Sequence, residues 1–233
     1  MSKIGERLLD LLYPPKCAFC RKLVLDGRML CPDCEENLPF TENEMQRQDI
    51  SHLAVCLSPL YYTGVVRQSL HRYKFSGAAA YYRIYAEMMA ACLNEQELQP
   101  DLVTWVPLSR KRLRRRGYDQ AKLLAEEVAR LTGLPCEQTL EKARNNPAQS
   151  GTSGAEERQK NVQGVYRTVT SFAGEHVLLV DDIVTTGATL SEAAEMLLEA
   201  GAEEVSGLTL ARTVRSYDDI RTDSNGESEY ADF

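Results

Sequence analysis

From Leu53 onward the chain alternates two hydrophobic spacings. Short, nearly continuous apolar runs at Leu53–Tyr62, Leu102–Val106, Val177–Val180 and Val205–Ala211 predict buried strands. Between them, apolar residues recur at helical spacing. Ala121, Leu124, Ala125, Val128 and Leu131 share one face, with Asp119 placed to cap the start and Gly133 to stop the end. Leu190, Ala193, Ala194, Leu197 and Leu198 form a second stripe, with Thr189 and Glu192 spaced as a capping box and Gly201 as the stop. Strands alternating with helices predict an α/β domain built on a parallel sheet. At the N-terminus, Ile4, Leu8, Leu9, Leu11 and Leu12 are broken by Lys3, Glu6, Arg7 and Asp10, so Ser2–Leu12 is expected to be a short amphipathic helix rather than a secretory signal. Arg144 to Asn161 has no period and is rich in Gly, Ser, Asn and Gln, as in a lid or an exposed linker.

Composition narrows the class. At 233 residues, 43% hydrophobic and 26% charged, the chain has room for one α/β domain and a small appendage. No run approaches the roughly 20 apolar residues of a membrane span, and the protein is expected in the cytoplasm. The net charge of −7 argues against a general nucleic-acid coat, but it is unevenly spread. Six basic residues fall in the seven from Arg110 to Arg116, expected to form one strongly positive loop, while Asp218 to Asp232 holds six acids against Arg221 alone. The expected organisation is residues 1–50 as a cysteine-bearing unit with a polar linker (Thr41 to Ser51), 51–215 as the α/β domain, and 216–233 as a disordered acidic tail.

Val177-Leu-Leu-Val-Asp-Asp-Ile-Val-Thr-Thr-Gly-Ala-Thr189 carries the most chemistry. An apolar strand of a parallel sheet binds ligands at its carboxyl end, which puts Asp181 and Asp182 at the rim as acceptors for vicinal sugar hydroxyls. Thr185, Thr186, Gly187, Ala188 and Thr189 follow just before a helix, where free amides, three hydroxyls and the helix dipole suit a phosphate. A capped turn with two solvated acids would explain neither the paired carboxylates nor the threonines around a glycine. The segment resembles the type I phosphoribosyltransferases. That resemblance implies that Asp181 and Asp182 contact the ribose of phosphoribosyl pyrophosphate (PRPP) and that residues 185–189 bind its 5-phosphate.

A transferase of this kind must also hold the departing pyrophosphate, with Mg²⁺ supplying most of the neutralisation. Leu108, Ser109 and Arg110 follow the strand Leu102–Val106 and are candidates for that loop. Arg112 to Arg116 are equally suited to a polyanionic partner. If residues 144–161 close as a lid, Arg158 is the member placed to reach the pyrophosphate.

Cys17-Ala-Phe-Cys20 and Cys31-Pro-Asp-Cys34 are two C-x₂-C pairs separated by ten residues. Four thiolates satisfy a tetrahedral Zn²⁺, and a site with four protein ligands is closed and structural. A redox pair is the alternative, but no thioredoxin-like βαβ context surrounds either motif. Cys56, Cys92 and Cys136 read as small core hydrophobes, and His52, His71 and His176 as core residues without ligand spacing.

A four-cysteine unit followed by a phosphoribosyltransferase domain resembles the ComF family, competence proteins of the ComFC type. Further matches are Tyr73-Lys-Phe-Ser-Gly77, Arg116-Gly-Tyr-Asp-Gln120, and Gln149 to Asn161 with Arg158. The family often has Phe-Asn where this chain has Tyr118-Asp119, and the acidic tail is not a family feature. The resemblance implies a type I phosphoribosyltransferase fold, a parallel sheet flanked by helices, with a small N-terminal zinc unit. It further implies a PRPP-binding, phosphoribosyltransferase-like protein of DNA uptake and natural transformation. Such a protein contacts single-stranded DNA and the uptake machinery at the inner face of the cytoplasmic membrane. The alternative is an active transferase moving phosphoribose from PRPP to a base or other acceptor with release of pyrophosphate.

Overall fold

The computed structural model describes residues 15–24, 27–41, 47–96, 98–143 and 165–213. The expected N-terminal helix, the lid with Arg158, and the acidic tail lie outside these residues. In chain order the elements are α1 (Pro32–Asn37), β1 (Arg47–Gln48), β2 (Cys56–Leu57), β3 (Leu60–Tyr61), α2 (Gly64–Phe75), a 3₁₀ turn (Ala79–Tyr81), α3 (Tyr82–Asn94), β4 (Leu102–Trp105), α4 (Arg110–Arg116), α5 (Gln120–Thr132), β5 (Leu140–Lys142), β6 (Tyr166–Thr168), β7 (His176–Val184), α6 (Ala188–Glu199) and β8 (Glu204–Arg212).

The main sheet runs β1-β2-β8-β7-β4, with β3 also paired to β8. Every pairing is parallel except β1 with β2, so the expected parallel α/β architecture is present. β7 is central, flanked by β4 and β8. Side chains alternate across a strand, and β7 divides its apolar residues accordingly. Leu178 and Val180 join Val103, Trp105, Leu208 and Leu210 under α2, α3 and α5. Val177 and Leu179 join Leu102, Val205, Leu140 and Tyr166 under α6 and the β5–β6 ribbon.

Four local outcomes differ from the expectation. The apolar run Leu53–Tyr62 is two short strands, because Pro59 between them has no N–H for a ladder. The stretch from Thr41 to Ser51 is more than a linker, since Arg47–Gln48 pairs with β2 and Ile50 enters the core. The basic run Arg110–Arg116 is a helix, not a loop, started by the Ser109 hydroxyl accepting from Arg112 N–H and ended by Gly117. The Thr189–Glu192 capping box does not form. The helix starts two residues earlier than that box requires, capped by a left-handed Gly187, and Glu192 accepts instead from Val165 N–H at 2.7 Å. The cap on α5 is as expected, with Asp119 accepting from Lys122 N–H and Gly133 left-handed at the end.

The four-cysteine unit does not stand apart from the sheet domain. Phe19 is fully buried in the same core as Leu70, Tyr73 and Met89, with its ring 5.6 Å from that of Tyr85. Ser69 donates to the Ala18 carbonyl and Arg72 to those of Ala18 and Phe19. The chain from α1 continues this docking, with Tyr61 N–H donating to the Pro39 carbonyl. Cys56 and Cys92 are core residues as expected and Cys136 is half-buried, whereas His52 and His71 are exposed.

Candidate functional site

β4 and β7 run parallel and end at the same edge, where Val106 N–H donates to the Val180 carbonyl. This puts the segment from Leu108 to Arg110 beside Asp181 and Asp182. β7 runs past the apolar stretch to Val184, so both acids are strand residues, Asp181 in register with Thr209. Adjacent strand residues face opposite sides, so the acids are not the side-by-side pair that adjacency suggested. Asp182 turns to the face of Leu178 and Val180, where the ammonium of Lys74, at the end of α2, lies 2.8 Å away. Asp181 turns to the other face, toward Tyr166 and Lys142; burial pushes the Tyr166 hydroxyl up and the field of Asp181 adds to the rise.

The two carboxylates also sit in different electrostatic settings. Burial pushes Asp181 up to about 8, the charge of Asp182 adds to the rise, and Lys74 works against it. Asp182, buried to 8% exposure, has its ion pair with Lys74. A third acid, Asp119, is also held above the carboxylate range by burial, opposed by hydrogen bonds from the backbone of Leu108 and Lys122. The edge therefore gathers three carboxylates with few counter-charges, an arrangement that costs stability and favours a ligand bringing hydroxyl donors and a cation.

Beyond β7, Thr185 and Thr186 are exposed and Gly187 turns with φ +81° into α6. The first helical bond runs from Ser191 N–H to the Gly187 carbonyl. The amides from Gly187 to Leu190 precede that bond, as the first four of any helix do. Among them Ala188 N–H is met by Thr186 Oγ1 at 3.4 Å. Gly187 is required twice. An L side chain is strained at that φ, and a Cβ there would come 2.9 Å from two atoms of Ile50.

The pyrophosphate candidates fare unevenly. Leu108 N–H already donates to Asp119 Oδ2 at 2.9 Å, and the Ser109 hydroxyl is the cap of α4. Asp119 thus staples the loop to the start of α5, a second bond that its capping position alone does not reveal. Arg110 is exposed beside them.

Two segments singled out in the sequence prove to be one wall. Tyr118 hydroxyl donates to the Tyr73 carbonyl, Tyr73 hydroxyl donates to the Gln120 carbonyl at 2.9 Å, and the two rings lie 5.8 Å apart. Arg116 stacks over Phe75 at 4.9 Å and donates to Gln120 Oε1 at 2.6 Å. Between them lies a cavity of about 330 Å³ lined by Lys74, Phe75, Gly77, Arg115 and Arg116, one ammonium away from Asp182. Lys74 is the site residue that motif spacing missed, because its partner lies more than a hundred positions further along the chain.

Cys17, Cys20, Cys31 and Cys34 bring their four sulfurs within 4.8 Å of one another. Burial pushes the Cys17 thiol up, but backbone hydrogen bonds from Cys20, Cys31 and Phe19 outweigh it and bring the group down to about 7. Burial and the neighbouring thiols hold Cys20 and Cys34 up. Four packed thiols cannot all ionise unaided, whereas a divalent ion at their centre makes all four thiolates favourable. The set fits a closed, structural zinc site.

The sheet order and its edge define a phosphoribosyltransferase fold. Comparison with known proteins agrees, with residues 114–229 matching the phosphoribosyl transferase domain and residues 8–45 the double zinc ribbon domain. The DNA utilization protein YhgH of Salmonella typhimurium is 31% identical over 210 residues, covering 85% of this chain and 90% of that protein. Competence protein F of Haemophilus influenzae is 31% identical over 207 residues, covering 85% of each chain. Competence protein ComFC of Bacillus subtilis is 34% identical over 190 residues, covering 79% of this chain and 72% of that one. The chain belongs to the ComF family. Among the described residues no helix is long and apolar enough to cross a membrane.

Proposed function

We propose that this chain is a PRPP-binding, phosphoribosyltransferase-like competence protein that acts in DNA uptake. The observation that carries this reading is the edge of β7, where Asp181 and Asp182 precede a turn whose amides enter α6 before its hydrogen-bond ladder begins. The 5-phosphate takes the amides and hydroxyls of Thr185 to Thr189. The ribose lies across the end of β7 with one hydroxyl donating toward each carboxylate from its own side, Asp182 sharing its charge between the sugar and Lys74. With the Leu108 amide engaged, the pyrophosphate falls to Arg110, to Mg²⁺ brought with PRPP, and to Arg158 from the segment outside the described residues. The exposed cations of α4 supply a phosphate-contacting face for single-stranded DNA, in keeping with relatives named for DNA utilization and competence.

Calorimetric titration of the zinc-loaded protein with PRPP and Mg²⁺ is the test. The expected result is saturable heat that an Asp181→Ala, Asp182→Ala double variant loses. A flat trace from the unaltered protein contradicts the reading. Active transfer is the second reading, favoured by the cavity that opens beside Lys74 where an acceptor would approach the ribose. Pyrophosphate release from PRPP across a panel of bases, absent from the double variant, would establish it.

A further inference from the structure

The PRPP contacts leave the cavity beside Lys74 unused, and its lining is chemically selective. Three of its five residues are cations: Lys74, Arg115 and Arg116. The nearby carboxylate of Asp182 is already paired with Lys74. Arg116 is partly buried, with one terminal nitrogen donating to Gln120 Oε1 at 2.6 Å, and burial lowers its affinity for its proton. A guanidinium so placed is a poorly solvated cation with donor capacity to spare, which a phosphate's oxygens complement as a fork.

The fourth wall is aromatic. Phe75 ends α2 at 52% exposure, with the Arg116 guanidinium 4.9 Å from its centre and the His71 ring 4.9 Å away. A large apolar ring left half in water between cations is a stacking partner for a flat heterocycle. Gly77 forms the remaining side, and nothing lies within 4 Å of where its Cβ would be, so the mouth is open. The hydrogen bonds joining Tyr73 to Gln120 and Tyr118 to Tyr73 hold the two walls at a fixed spacing before any ligand arrives. At about 330 Å³ the space lies at the lower end of small-ligand pockets, enough for one ring, one sugar and one phosphate.

We propose that this cavity binds a nucleoside monophosphate unit, its phosphate among Lys74, Arg115 and Arg116 and its base against Phe75. The placing of this unit next to a bound ribose rests on the PRPP reading, but its binding does not. Because Lys74 serves both the cavity and Asp182, occupants of the two sites share one ammonium, and their affinities are thermodynamically linked.

The test is calorimetry on the zinc-loaded full chain with adenosine 5′-monophosphate, adenosine and inorganic phosphate. The monophosphate is expected to bind at least about tenfold more tightly than either fragment, since ring and phosphate each contribute a contact. Phe75→Ala and Arg115→Ala are each expected to weaken it at least about tenfold, Arg115 through its charge and Phe75 through its ring, while the PRPP isotherm is unchanged. A strand with a 5′-phosphate, compared with the same strand lacking it, assigns the unit to a strand end if the phosphate matters and to free nucleotide if it does not. Absence of monophosphate binding, or variants that bind it as tightly as the unaltered protein, overturns the proposal. Monophosphate binding without PRPP heat sinks the reading of the β7 edge and leaves this one standing. PRPP heat without monophosphate binding does the reverse.

Discussion

The cysteine unit and the β7 edge stabilise themselves in opposite ways. Each crowds groups that repel one another when charged: four thiols within 4.8 Å in one place, three carboxylates around Asp181 in the other. In the cysteine unit the crowding is relieved by a resident metal, and the segment's own apolar residues complete the core of the sheet domain. At the edge Lys74 is the cation in direct contact with an acid among the described residues, and the relief it gives is partial, so the rest is left for a ligand to supply. A structural site closes on its ion. A binding site keeps part of its electrostatic cost outstanding.

The comparison breaks most visibly through the metal. Chelation, or Cys34→Ser, is expected to cost more than about 4 kcal/mol, because the loss of a structural metal is among the few mechanisms that reach that size. Since Phe19 and Ala18 anchor the unit to α2 and α3, the whole domain should melt earlier and not the unit alone. A calorimetric melt with an unshifted main transition after zinc removal would deny that coupling.

Asp181→Asn sharpens the other half. Its folded-state value near 8 lies far above the ordinary carboxylate value, so the acid is easily accommodated at low pH and becomes a burden as pH rises toward 8. The Asn variant carries no such slope. Its gain over the unaltered protein should be small near pH 4 and grow steadily as pH rises toward 8, with PRPP binding lost. Denaturant melts at the two pH values measure this, and a pH-independent difference would remove Asp181 as the source.

The smallest effect belongs to Gly187→Ala. Left-handed φ and the approach of Ile50 should together cost about 1–2 kcal/mol. In a double-mutant cycle with Ile50→Ala, the coupling should account only for the part due to contact. A coupling equal to the full cost would mean that the backbone conformation carries no strain.

Much of this architecture is legible in the residues themselves. The strands β4, β7 and β8, the stripe of α5 with its Asp119 cap, and the four cysteines follow from periodicity and spacing, which are local properties. α2 and α3 are harder to see, because their buried faces mix Tyr73, Ser69, Tyr85, Ala86 and Cys92 with fewer aliphatics. The partner of Asp182 could not be found from spacing at all. Lys74 comes from a helix distant in sequence, and only the packing of α2 on the face of Leu178 and Val180 brings them together. The Thr189–Glu192 box fails for the same reason, since Glu192 finds a better donor in the backbone of Val165.

The central claim is that the amides at the start of α6 grip a sugar phosphate, and their own resonances report on it. In a ¹⁵N-resolved titration with PRPP and Mg²⁺, the amides of Gly187, Ala188 and Thr189 should move most and saturate together, with those of Asp181 and Asp182 following the same curve. Shifts confined to Arg110–Arg116, with residues 185–189 unmoved, would contradict it.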